Sequence, residues 1–246
     1  VLLLPFASNA QMSMVYDNDL VAYNRGLELY EKQKFGAAKE QFEKSIQLID
    51  DQNSEVSANA HFYVADCALE MFHKDAEFLL KEFIANYSSS PRVADAWFLL
   101  GNYNYRKKKW DKAIEYYDEL LIPELKEPLK SEYLFKKGYS FFQEGQMDNA
   151  AGLFFQMDDQ SSVYFAPGTY YLGHINYSQG KYASALKSFQ SLSSHELFGN
   201  VVPYYIVQIY HFQENYDEVI SYGQTFLNCL LYTSPSPRDA HESRMP

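Results

Sequence analysis

The sequence predicts an all-α solenoid of about six helical hairpins, and three observations carry that prediction. The first is the stretch Trp97 to Leu120, WFLLGNYNYRKKKWDKAIEYYDEL, which reads as two helices folded against each other. Trp97, Leu100, Gly101 and Asn104 recur at helical spacing. Lys107 to Lys109 form a polar turn, Trp110 and Asp111 open a second helix, and Ala113, Tyr117 and Leu120 line its inner face. The second observation is recurrence. The small or apolar marker of each first helix falls at residues 26, 65, 101, 138, 173 and 207, spaced by 39, 36, 37, 35 and 34 residues. The third is a matching series on the second helices, Ala38, Ala76, Ala113, Ala150 and Ala185. A fixed period of this length marks an array of hairpins, none of which buries its own apolar face alone.

Taken in order, the first repeat spans 19–50, with Gly26 on its first helix and Phe35, Ala38 and Phe42 on its second. The next spans 58–90 and is the least regular: Ala65 takes the small position, and Ala76, Leu80 and Phe83 carry the second helix. Pro91 closes it and opens the repeat over 94–126. The repeat over 131–160 has Leu134 and Gly138, then Gly145, Met147, Ala150 and Phe154. Over 166–195 stand Leu172 and Gly173, then Gly180, Tyr182, Ala185 and Phe189. The last, 200–228, has Ile206 and Val207, then Tyr216, Val219 and Phe226. Small residues on both helices let neighbouring elements approach, and the aromatics at 35, 110, 182 and 216 are expected to fill the space beside them. Asp111, Asp148 and Asp217 follow the turns and are expected to cap the second helices.

The order aromatic, Leu, Gly, then aromatic, Ala, aromatic resembles the tetratricopeptide repeat, a helical hairpin of about 34 residues. The resemblance covers about residues 19–228, is sharpest over 94–195, and departs from the pattern where Val207 and Val219 replace the small residues. It implies a right-handed superhelical solenoid whose first helices line a concave, ligand-binding side. The positions that would form this side are Tyr23, Leu27 and Tyr30, then Phe62 and Asp66, then Phe98, Asn102 and Tyr105. Phe135, Tyr139 and Phe142 come next, followed by Tyr170, His174 and Tyr177, and by Tyr204, Gln208 and His211. The surface is aromatic and carries few charges. Two uses of the rings stand open: contact with an extended or helical peptide, or packing between adjacent helices. The family's carboxylate clamp holds a peptide's terminal acid with Lys, Arg and Asn. Asn102 fits one clamp position, but Phe98 stands where a Lys is expected, so the resemblance does not extend to a clamp.

The ends read differently. Residues 1–10 (VLLLPFASNA) look like the back half of a secretory signal peptide, with Ser8 and Ala10 as the small-x-small cleavage pattern and Gln11 as the first mature residue. Without an initiator Met or basic leader, the chain is expected to begin within that signal. This end, the Tyr/Phe content and the loosely spaced repeats together resemble exported repeat proteins of Bacteroidota-type bacteria, which implies a periplasmic location. Residues 229–246 break the helical pattern and resemble translated sequencing-adapter read-through, especially LLYTSPSPRD and SRMP; this tail is expected to be non-native or disordered.

Composition bounds the chemistry. Hydrophobic residues make up 47% of the 246, so the chain can bury a core, and the aromatic share of 17% (22 Tyr, 18 Phe) supplies the large halves of large-into-small packing. A formal net charge of -11 argues against phosphate neutralisation and hence against nucleic-acid binding. The one dense basic run, Arg106 to Lys109, reads as a solvated turn. Cys67 and Cys229 are too few for a disulfide framework or a zinc site, and no apolar window reaches the ~18 residues of a membrane span. The six His are scattered, and no HExxH, Walker loop or GxGxxG occurs. No catalytic residue, metal or cofactor is therefore expected. The reading is a non-catalytic scaffold that binds proteins or peptides. The alternatives are an assembly factor for outer-membrane or peptidoglycan machinery and a recruiting segment of a larger enzyme.

Overall fold

The structure, a computed structural model, describes the backbone of residues 9–120 and 125–233 and the side chains of residues 20–120 and 125–224. All regular structure among them is helical, in two compact bodies, Val1–Glu124 and Leu125–Pro246. The N-terminal body holds α1 (Asn9–Glu31), α2 (Phe35–Leu48), α3 (Glu55–Glu70), α4 (Ala76–Asn86), α5 (Val93–Arg106) and α6 (Trp110–Asp118). The C-terminal body holds α7 (Leu129–Gln143), α8 (Met147–Phe155), α9 (Phe165–Ser178), α10 (Tyr182–Ser191), α11 (Val202–Phe212) and α12 (Tyr216–Thr233). Within each body every helix packs on the next in sequence, and first helices also touch one another, α1 on α3, α3 on α5 and α7 on α9. That is the all-α repeat solenoid the sequence predicts.

The period has a conformational signature in the turns. Residues 33, 72, 108, 145, 180 and 214 all have positive φ, between 56° and 74°. Each lies seven residues after its first-helix marker. The residue after each donates its backbone N–H to the carbonyl five positions back, as in Lys34 to Leu29, Lys109 to Asn104 and Lys181 to Asn176, at 2.8–3.0 Å. This is the Schellman stop of a helix. Gly145 and Gly180 adopt the left-handed conformation freely; Gln33, Phe72, Lys108 and Glu214 hold it despite their Cβ atoms.

The turn is so tight that the residue completing the stop is already the N-cap of the next helix: Lys34, Lys109, Gln146 and Lys181, none with a side-chain cap bond. This corrects the expected caps. Asp111, Asp148 and Asp217 fall in the first turn, two positions too late to cap. There their negative charge suits the positive end of the helix dipole, and Asp148 also accepts from Gln179 Nε2 at 2.9 Å. The side-chain cap that does form is Ser54, whose oxygen accepts from the Ser57 N–H.

The packing rule is also sharper than expected. The ring beside each glycine comes from sixteen residues on. A Cβ on Gly26 would fall 2.7 Å from Phe42, on Gly101 2.4 Å from Tyr117, on Gly138 2.8 Å from Phe154 and on Gly173 2.8 Å from Phe189. All four rings are buried, and burying one contributes roughly 1.5–3 kcal/mol. The aromatics at 35, 110 and 182, expected in that role, do another job. They pack across the turn of the hairpin against the last first-helix aromatic: Phe35 on Tyr30, Trp110 on Tyr105, Tyr182 on Tyr177. Tyr216, the fourth of that set, lies against His211 and is exposed. Ala38, Ala76, Ala113, Ala150 and Ala185 are fully buried, as the repeat requires.

At the ends, α1 begins at Asn9, ahead of the expected start at residue 19. The signal-like residues 1–8 lie outside the described residues. α12 continues helical through Cys229 to Thr233, beyond the expected break; Pro235 is the first residue there that bars a helix, and it also restricts the residue before it. The rest of the tail lies outside the described residues.

Candidate functional site

The first-helix positions divide by body. In the N-terminal body several are structural. Phe62 and Asp66 are buried, and so is Phe98, whose ring lies against Tyr117; none of the three presents a free surface. Asn102 accepts from Tyr117 Oη at 2.7 Å through its side-chain carbonyl, and half-buried Tyr105 packs edge-on against Trp110. Tyr23 packs on Phe42, and half-buried Leu27 joins the same core.

A polar network runs along this face. Tyr30 Oη donates to buried Asp66 at 2.6 Å. Burial of Asp66 pushes its carboxyl above the ordinary carboxylate value, with Glu70 adding to the rise and the Tyr30 hydrogen bond opposing it. The Tyr30 phenol is raised by its own burial and by that bond. Arg92 reaches Tyr63 Oη at 3.0 Å, Asn59 at 3.4 Å and Asp95 at 3.2 Å, and lies over the rings of Phe62 and Tyr63. Beside Asp66, burial pushes the Cys67 thiol up to about 12, so it packs as a small apolar residue and has no thiolate character near neutral pH. The basic turn is exposed, but it is not free of contacts: Arg106 lies over Phe72 and Lys107 donates to Tyr103.

In the C-terminal body the expected positions come together as one run of rings. Tyr164 lies 5.4 Å from Phe135, Phe135 lies 6.0 Å from Tyr139, and Tyr139 lies 6.3 Å from Phe142. Phe142 meets His174 edge-on at 5.9 Å, and His174 meets Tyr205 at the same distance. Tyr205 continues to Tyr177 at 5.5 Å, and Tyr177 to Phe212 at 6.3 Å. Tyr170 packs on Tyr171, Phe189, Phe198 and Tyr205. Tyr177 Oη donates to Gln208 at 2.5 Å. Most of these rings are half-buried. Tyr204 is 57% exposed, Phe212 is 55% exposed, and His211 is exposed too. His174 Nδ1 is buried without a hydrogen-bond partner among the described residues.

Sequence reasoning missed the residues that tie these runs together. Tyr171 sits within about 6 Å of Phe135, Tyr139, Phe142, Phe154 and Tyr170. Its phenol is pushed up to about 12 by burial and by Tyr139. Tyr205 has the same role in the following repeat, stacked on Phe189 at 4.9 Å, and Tyr63 has it in the N-terminal body, stacked on Phe42 at 4.9 Å. All three stand two residues before a first-helix marker. Three of the glycine-filling rings, Phe42, Phe154 and Phe189, are therefore stacked on a tyrosine of the next repeat. Recurrence of Tyr at that offset was the signal available.

Comparison with known proteins agrees with this geometry. Family models described as tetratricopeptide repeat match residues 21–52 and 73–127. No curated protein matches the chain. Among solved structures, the C-terminal part of a TPR repeat-containing protein from Cytophaga hutchinsonii superposes with a TM-score of 0.67 at 14% identity, covering 96% of this chain and 92% of that one. PilF of Pseudomonas aeruginosa superposes with a TM-score of 0.55 at 17% identity, covering 94% and 98%. MamA (AMB-1) does so with a TM-score of 0.52 at 15% identity, covering 70% and 95%. At these identities the likeness is one of fold. The repeat type is one that typically serves as a non-catalytic scaffold for protein–protein contacts. The period, the glycine–ring pairs and the matched segments agree: the chain carries tetratricopeptide repeats at residues 21–52 and 73–127 within an all-helical repeat fold.

Proposed function

We propose that the C-terminal body binds a partner protein through the first-helix face of α7, α9 and α11, taking up an extended or helical segment with apolar side chains. The observation that carries this reading is the ring run from Tyr164 to Phe212, which ends in the exposed Tyr204, His211 and Phe212. None of the first-helix positions in this body is a Lys, Arg, Asp or Glu. An aromatic face of low charge favours apolar partners, and Tyr and His edges add hydrogen-bonding points. The buried rings hold the surface rigid, so little side-chain entropy is lost when a partner docks. The signal-like start supports a site of action outside the cytoplasm.

The test is a cross-linked capture from envelope extract with the full chain as bait, beside a Tyr204→Ala, Phe212→Ala double variant. Both substituted residues are exposed, so helicity by circular dichroism should be unchanged. The expected result is one specific partner lost by the variant. An unchanged partner set would refute the first-helix face as the binding surface.

A further inference from the structure

A trough lies on the face of α9 opposite Tyr170, His174 and Tyr177 in the C-terminal body. The trough, of about 700 Å³, is walled by Ala151, Gly152 and Phe155 of α8 and by Ser184, Ser188 and Ser191 of α10. Its floor is α9, through Phe165, Thr169, Leu172 and Asn176, and Lys181 and Lys187 stand at the α10 rim. None of these residues belongs to the aromatic run described above. Each helix contributes at helical spacing, with α9 presenting one face over the twelve residues from Phe165 to Asn176, about 16 Å or three turns. The trough is thus bounded by helical ridges, the surface into which the ridges of a further helix fit. The small walls let such a helix approach closely: at Gly152 an added Cβ would meet nothing within 4 Å. Phe155 stands at the edge with 80% of its surface exposed, an anchor with no partner ring among the described residues.

Charge identifies the occupant. The chain is acidic overall, at -11, yet the trough is lined by two lysines and no carboxylate. The side chains of Lys181 and Lys187 make no hydrogen bond or ion pair with any described residue. By contrast, Lys130 of the same body is paired with Asp158 and Lys136 with Glu132. We infer that this trough seats an amphipathic helix of about three turns from a partner protein, its apolar stripe on the α9 floor and Phe155, its flanking Asp or Glu side chains on Lys181 and Lys187. The complementary charges set the direction and register of the helix, and the floor and Phe155 supply the apolar burial.

The probe is a displayed library of random peptides about 16 residues long, selected on the full chain. The expected winners carry Leu, Ile or Phe at i, i+3 or i+4, and i+7, with Asp or Glu beside that stripe. Anisotropy titrations of these peptides should weaken about tenfold or more for Phe155→Ala and for Lys181→Glu, Lys187→Glu. Both variants alter exposed residues, so circular dichroism and Tm should not move. Tyr204→Ala should leave the affinity unchanged, which separates this surface from the first-helix face. Selection of no helical acidic family would overturn the inference, as would winners indifferent to both trough variants. A concentration-dependent dimer abolished by Phe155→Ala would also overturn it, by assigning the trough to a second copy of this chain.

Discussion

The two bodies share a period and a turn but hold their first-helix faces by different chemistry. In the N-terminal body the face is fixed by directional bonds, with Tyr30 on Asp66 and Arg92 on Tyr63, Asn59 and Asp95, around a core rich in Ala. In the C-terminal body it is fixed by rings on rings, with Tyr171 and Tyr205 at the centres. The difference teaches that the repeat specifies only the hairpin. What happens two residues before the marker decides how one repeat grips the next. There Tyr63, Tyr171 and Tyr205 reach back to the previous ring, whereas in the third repeat the position is Leu99, an aliphatic side chain that joins a core of Ala, Leu and aromatic residues.

The contrast breaks most clearly at its centres. Tyr171→Ala removes a ring that touches five others, and a loss of about 2–4 kcal/mol is expected by analogy with buried aromatic truncations, scaled for partial exposure. Hydrogen exchange should place the loss in α7 to α9. Tyr63→Ala should cost less than Tyr171→Ala, because Arg92 would keep Asn59 and Asp95. An equal cost would mean the two bodies are held alike.

Glycine supplies a sharper pair. Gly101→Ala should destabilise by about 1–3 kcal/mol in urea titration, because its Cβ drives into buried Tyr117, despite alanine's better helix propensity. Gly152→Ala, in open space on α8, should stabilise by up to about 1 kcal/mol. The same substitution thus takes opposite signs, and like signs would refute the glycine–ring pairing.

The smallest expected effect concerns Asp66. Its folded-state pKa is raised above the ordinary value of 3.8, so its contribution to stability is fully present below that value and is lost as pH rises through the folded pKa. At neutral pH the chain therefore buries an unfavourable charge. Asp66→Asn keeps an acceptor for Tyr30 and removes the charge. It should match or exceed the native stability at pH 7, with the advantage shrinking as pH falls toward 4. Paired urea titrations at several pH values read the difference directly. A variant markedly less stable at pH 7 would show that the charged form is the stabilising one, held by Arg92.

Much of the architecture was legible along the chain. The markers at 26, 65, 101, 138, 173 and 207 recur because each hairpin must offer the same small site to its neighbour, and six left-handed turn residues follow them at a constant offset. Partner assignment within a repeat was less legible. Phe35 and Phe42 are both aromatic and both on α2, and only their angular position decides which one meets Gly26. The caps mislead for a similar reason: a two-residue difference in where the helix starts turns Asp111 from a cap into a first-turn charge. Among the candidate site residues, Phe98 and Tyr204 stand at the same register position of their repeats, yet one is buried and the other is 57% exposed.

The sequence by itself determined the repeat, its period, its turn positions and the aromatic character of the first-helix face, because those depend on local spacing and on the need of every hairpin for a neighbour. Only the tertiary structure decided which rings are spent on packing and which remain open, and that α8, α9 and α10 leave a lysine-rimmed trough between them. The physical reason is that exposure belongs to what lies opposite a side chain, and in a stacked array the residue opposite comes from another repeat, tens of positions away.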